Sequence, residues 1–187
     1  MTFVIIAIVV VVVILAIALI TSYNRFVKQR NLIQESWRQI DVELHRRHDL
    51  IPNLVETVKG YAAHERGVFE AVTQARAQAA SPGSTPGEQA QQENLLTGAL
   101  RQLFAVAEAY PDLKASTNFQ QLQAQLAETE DRIAAGRRFY NGNVRGLNTR
   151  VESFPSNIVA KLFHFVRAEY FQADDPETRA NPQVSFN

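Results

Sequence analysis

The chain opens on an uninterrupted apolar run. Phe3 to Ile20 carries no charge, no Gly and no Pro, and polar residues bound it at Thr2 and Thr21–Ser22. At about 1.5 Å rise per residue the run is about 27 Å long as a helix, close to the roughly 30 Å hydrocarbon core of a bilayer. Its Val and Ile residues are modest helix formers in water. In lipid, however, a backbone without internal hydrogen bonds costs far more than propensity does. The pattern predicts a transmembrane helix from Phe3 to Ile20 within an anchor of residues 1–22. A cleaved secretory signal is the competing reading, and Ala16–Ile17–Ala18 supplies its small-x-small site. Nothing basic precedes the run, and it is longer than the usual apolar stretch of roughly 7–15 residues, so the anchor is expected to stay in place.

Beyond Ser22 the pattern changes to one apolar residue every three or four. The first stripe is Val27, Ile33, Trp37, Ile40, Leu44 and Ile51, thin around Arg47 and His48. It predicts a helix over 23–51 that continues from the span as a stalk. Pro52 either kinks this helix or opens the next, and the matched lengths on either side favour a tight turn. A second helix over 53–80 follows from Leu54, Val55, Val58, Tyr61, Ala62, Phe69 and Val72, with Gly60 and Gly67 weakening but not ending it. Residues 81–86, rich in Ser, Pro and Gly, form a loop. Thr85, Pro86 and Glu88 read as an N-cap, a first-turn Pro and a capping-box acid for a third helix over 87–110, which Pro111 stops. Thr117 and Gln120 suggest another box, opening a fourth helix over 117–151. Its seam of Phe119, Leu126, Ile133, Tyr140 and Leu147 keeps a seven-residue spacing, as in a coiled coil. No segment shows sustained period-two alternation, and no Gly-rich turn falls between β-branched runs. The fold class is all-α: an anchor, then an antiparallel up-and-down bundle of about four long helices over 23–153.

After Phe154–Pro155, residues 154–187 read as a short amphipathic helix and a tail, with Pro182–Phe186 alternating as extended chain does. Phe154, Leu162, Phe163, Phe165, Tyr170 and Phe171 form a candidate interface. They either cover one end of the bundle or dock a neighbouring subunit or the membrane surface.

Charge decides the orientation. Arg25, Lys28 and Arg30 follow the span closely while only Met1 and Thr2 precede it, so the positive-inside rule places the C-terminal body in the cytoplasm and the N-terminus outside. Basic and acidic side chains balance at 19 each, so no strong field attracts nucleic acid. With no Cys, disulfides, thiolate metal sites and cysteine nucleophiles are excluded.

Chemistry is sparse. His45 and His48 lie three apart on a helix but lack a Glu-x-x-His partner and sit among Arg46 and Arg47, a poor setting for a metal. Asp41, Glu43 and Asp49 are interspersed with those cations and read as ion pairs between helices or as a solvated face. Glu128–Arg132 is an i,i+4 pair, and Glu130 and Arg137 are placed to reach a neighbouring helix. No phosphate loop, nucleophile elbow or zinc-protease motif is present. No catalytic, cofactor-binding or metal site is expected, and no small-molecule substrate is evident.

Several stretches resemble the LemA family of bacterial membrane proteins. They are Ser36–Trp37, Asp41–Val42, Leu44 to Tyr61, Glu93–Asn94, Leu103 to Ala115, Arg137 to Asn141, Ser153–Phe154–Pro155 and Pro182 to Phe186. The match runs in order over nearly the whole chain. It departs from the family pattern at His45 and His48, where a basic residue and Tyr are usual. The resemblance implies a single-pass anchor with a helical cytoplasmic body in the bacterial inner membrane, and it carries over no catalytic residue. The expectation is a non-enzymatic scaffold that docks protein partners or copies of itself beside the bilayer. The alternatives are a membrane-remodelling or membrane-stress protein, and an accessory adaptor of a membrane protease or transporter.

Overall fold

A computed structural model describes residues 1–172. The elements are α1 (Thr2–Lys59), α2 (Arg66–Ala79), α3 (Pro86–Glu108), α4 (Pro111–Ala115), α5 (Thr117–Glu152) and α6 (Ser156–Leu162). The fold is all-α, with no strand among the described residues. The extended segment expected at Pro182–Phe186 lies outside them.

The main departure from the sequence pattern is at Pro52. No turn forms there, because α1 runs through it to Lys59. A proline inside a helix lacks the N–H that would bond the carbonyl four residues back. That carbonyl belongs to His48, and the Arg76 side chain on α2 fills the gap, its Nε donating to His48 O at 2.7 Å. A donor from a neighbouring helix thus replaces the missing amide, and the helix continues. The break comes instead at residues 60–65, where Gly60 follows the last helical residue. The helices expected over 23–51 and 53–80 are therefore the long α1 and the shorter α2.

The chain divides into two compact units. The first comprises residues 1–42 and 134–169. In it the N-terminal stretch of α1 and the C-terminal stretch of α5 run antiparallel. Gly136 faces Ile40 and Gly146 faces Gln29, so numbers rise along one helix as they fall along the other. Gln29 Nε2 donates to Asn143 O at 2.8 Å, and Trp37 packs on Tyr140 with ring centroids 5.4 Å apart. A Cβ at Gly136 would lie 2.9 Å from Ile40 Cγ1, so the helices approach there as only glycine allows.

The second unit comprises residues 43–133 and, of the described residues, 170–172. Its core gathers Ile51, Leu54 and Val58 of α1, Phe69 and Val72 of α2, Leu96, Leu100 and Leu103 of α3, Leu113 of α4, and Phe119, Leu122 and Leu126 of α5. Of these, Ile51, Leu54, Val58, Phe69, Val72, Phe119 and Leu126 are apolar positions read from the sequence. The α3 capping box also forms: Thr85 Oγ1 accepts from Glu88 N at 3.3 Å, and Glu88 Oε2 accepts from Thr85 N at 2.8 Å. The box expected at Thr117 does not form. Gln120 Nε2 donates instead to Lys114 O at 2.8 Å, closing the α4–α5 corner.

Losing the Arg76 donor leaves the His48 carbonyl unsatisfied, which costs about 1–3 kcal/mol. Arg76→Met is therefore expected to lower the unfolding free energy of the detergent-solubilised chain, read from urea titration, by that amount. In a Pro52→Ala background the restored amide takes over, and the cost of Arg76→Met is expected to fall below about 1 kcal/mol.

Candidate functional site

The second unit holds charge where its stripes predict apolar side chains. Arg47 follows Leu44 by three positions and precedes Ile51 by four, so it falls on the buried face of α1. Glu93 precedes Leu96 by three and Leu100 by seven, on the buried face of α3. Both side chains are almost wholly enclosed, each residue 1% exposed. Arg47 Nη1 donates to Glu93 Oε2 at 3.0 Å. Arg47 Nη2 reaches Thr97 Oγ1 at 2.7 Å and Glu130 Oε1 of α5, also at 2.7 Å. The other Glu93 oxygen, Oε1, lies 2.8 Å from His48 Nε2 and accepts from Gln89 Nε2 at 3.0 Å. Gln89 Nε2 also donates to Ala79 O at 2.8 Å.

This cluster ties α1, α3 and α5 together by charge, and Arg76 adds α2 through the His48 carbonyl. A buried pair repays its desolvation only when its remaining positions are hydrogen-bonded, and here nearly all are. The exception is Arg47 Nε, which has no acceptor among the described residues. Of the two readings of residues 41–49, ion pairing between helices holds at Arg47, which meets Glu93 and Glu130; a solvated face is excluded for Arg47 and His48, which are buried, while His45, Arg46 and Asp49 are exposed. The carboxylates behave closer to expectation: Glu43 meets Arg132 at 3.4 Å and Glu128 meets Arg132 at 2.6 Å. Those two acids raise the Arg132 pKa, Glu128 more than Glu43. With His48 Nε2 directed at Glu93 and His45 exposed, the two imidazoles do not converge on a ligand position.

In the first unit the residues expected to set topology are exposed: Arg25, Lys28 and Arg30, with the Arg30 guanidinium 5.8 Å from the centre of the Phe165 ring. Every residue from Phe3 to Ile20 is exposed as well, in a helix long and apolar enough to cross a membrane. The C-terminal aromatics divide. Phe154, Leu162 and Phe163 are exposed, and Phe165 is half-buried and stacked on Phe26 at 4.7 Å. Tyr170 is half-buried, but Phe171 is fully enclosed and so is corrected from interface to core.

The segment after α6 is held by side chains. Asn148 accepts from Ala168 N at 2.8 Å and donates to Ala168 O at 3.0 Å, as a neighbouring strand would. Tyr140 donates its phenolic O–H to Glu169 O at 2.9 Å. Burial, with a smaller push from the Glu169 carboxylate, raises the Tyr140 phenol from its ordinary 10.0 to about 12.

The described residues are all-α, with an N-terminal helix long and apolar enough to cross a membrane and a buried ion cluster within the second unit. The chain belongs to the LemA family, whose profile matches residues 36–186. That range includes Arg47, His48, Glu93 and Glu130 and begins after the apolar run. Two curated relatives illustrate the likeness. "Magnetosome protein MamQ 2" of Paramagnetospirillum magneticum is 28% identical over 179 residues, covering 82% of this chain and 66% of the relative. "Protein LemA" of Metamycoplasma hominis is 29% identical over 157 residues, covering 82% of this chain and 70% of the relative. The chain thus spans just under two thirds of the MamQ relative's length.

Removing one partner of a buried ion pair costs about 3–5 kcal/mol, because the other charge is stranded. Arg47→Met and Glu93→Met are each expected to destabilise by about that much in urea unfolding. The double variant should lose at least about 1 kcal/mol less than their sum.

Tyr140 gives a pH signature. Its neutral form is favoured in the fold, so its contribution is complete below pH 10, the ordinary phenol value, and fades as pH rises through about 12. The stability advantage over Tyr140→Phe, about 1 kcal/mol near neutrality for one hydrogen bond, is expected to shrink across that window.

Proposed function

We propose that the protein is a non-enzymatic, single-pass inner-membrane protein. In this reading, Phe3 to Ile20 anchor a cytoplasmic helical body that docks partners and copies of itself. One observation carries the proposal: a fully exposed apolar run is continuous, within α1, with residues buried in the protein core. Among the described residues nothing covers the run, whereas Phe26, Ile33 and Ile40 beyond it are buried. The exposed Arg25, Lys28 and Arg30 favour retention of the following segment on the cytoplasmic side. Anchoring confines copies to one surface and raises their effective concentration, so modest contacts suffice for assembly.

Two measurements test the proposal, one on cells and one on the chain in membrane extracted from them. Protease added to intact spheroplasts is expected to spare the body and to digest it only after permeabilisation. Mass measurement of the chain in native nanodiscs is expected to show assemblies larger than a monomer. Digestion from outside would reverse the orientation, and a strict monomer at every concentration would remove self-association.

A further inference from the structure

We propose that α6 and its flanks form a second membrane contact, a shallow apolar foot that rests in the interfacial layer beside the anchor. This rests on the membrane anchoring proposed above. Its evidence lies within the first unit.

The antiparallel pairing sets the level of each residue. Gly136 faces Ile40 and Gly146 faces Gln29. Six more residues along α5 reach Glu152, level with Tyr23 on α1. The chain then turns through α6 and comes back, placing Phe163 against Tyr23 at 4.8 Å and Phe165 against Phe26 at 4.7 Å. The turn itself therefore lies on the side of Tyr23 toward the apolar run. Tyr23 follows Ile20 by three residues, about 4.5 Å of helix rise. That is the depth of a bilayer's interfacial layer, where aromatic side chains concentrate.

What α6 presents there is apolar. Its inward residues, Val159 and Ala160, are buried. Outward, Phe154 is 80% exposed, Ile158 and Leu162 are each 58% exposed, and Val166 is 74% exposed. Ile158 and Leu162 are one turn apart on the same face. An apolar cluster of this kind in water is costly and marks a contact surface. Lys161 of α6 and Arg25 and Lys28 of α1 are exposed at this end, the cations that anionic headgroups attract. Arg167 is paired with Glu152 at 3.2 Å, so its charge is partly offset. The apolar face, its level at the end of the span and its basic flanks together fit lipid as the occupant.

The test uses the full chain, which has no Cys and so accepts single labels cleanly. Leu15→Cys, Ile158→Cys, Leu162→Cys and Val42→Cys are labelled with a polarity-sensitive dye and reconstituted in vesicles of phosphatidylglycerol and phosphatidylcholine. All four positions are exposed, so unchanged circular dichroism is expected. Lipid-borne spin labels near the headgroup are expected to quench the dye at 158 and 162 at least about twofold more than at 42, as interfacial burial requires. Deep spin labels quench the dye at 15. Quenching at 15 without quenching at 158 and 162 overturns the foot and leaves the anchor standing. No quenching at 15 overturns the anchor and the foot with it. A dye at 158 shielded from both lipid and aqueous quenchers, with copies crosslinking through that position, identifies a second copy as the occupant and also overturns the proposal.

Discussion

Everything in the second unit turns on how α1 survives Pro52. A proline in mid-helix strands one carbonyl and crowds it, at a cost of about 3 kcal/mol. Here the stranded carbonyl is that of His48, and Arg76 supplies its donor. The same turn of α1 carries Arg47 and the His48 imidazole into the Glu93 cluster. Because Pro52 does not end the helix, the face presenting Ile40, Leu44 and Arg47 continues in phase into Ile51, Leu54 and Val58. A turn at Pro52 would have broken that phase and sent Leu54 and Val58 into a different packing partnership.

The buried ions are better understood as specifying an arrangement than as adding stability. Well-packed apolar residues often match or exceed a buried pair in free energy. A guanidinium with acceptors on two helices nevertheless tolerates few alternative registers, since any shift strands a charge. Arg47 reaches α3 through Glu93 and Thr97 and α5 through Glu130, so it sets the register of both helices against α1. In a body built of long helices with repetitive Leu and Ala faces, sliding by a turn is the obvious competing state. A charge cluster that fits one register only excludes it.

Much of this was legible in the residues, for physical reasons that differ by position. The apolar run, the α3 capping box and the seam of Phe119, Leu126 and Ile133 follow from local rules that tertiary structure did not override. Pro52 misled because its remedy lies 24 residues away in Arg76, beyond any local pattern. Residue type alone does not mark Arg47 and Glu93 as buried, because charged residues are usually solvated. The readable signal was positional, since each sits on an apolar stripe. The C-terminal aromatics share an apolar character that the residues show, but their split into enclosed Phe171, stacked Phe165 and exposed Phe154 depends on the chain turning back after α6.

The account's central claim is that α1 is one helix leading from lipid into a packed protein core. Peptide-resolved hydrogen exchange on the full chain in lipid nanodiscs tests it most directly. Slow exchange is predicted from residue 3 through residue 58, with no fast site at Thr21–Ser22 or around Pro52, while residues 80–85 exchange quickly. Rapid exchange at either place, or recovery of a folded body with residues 1–22 missing, would contradict it.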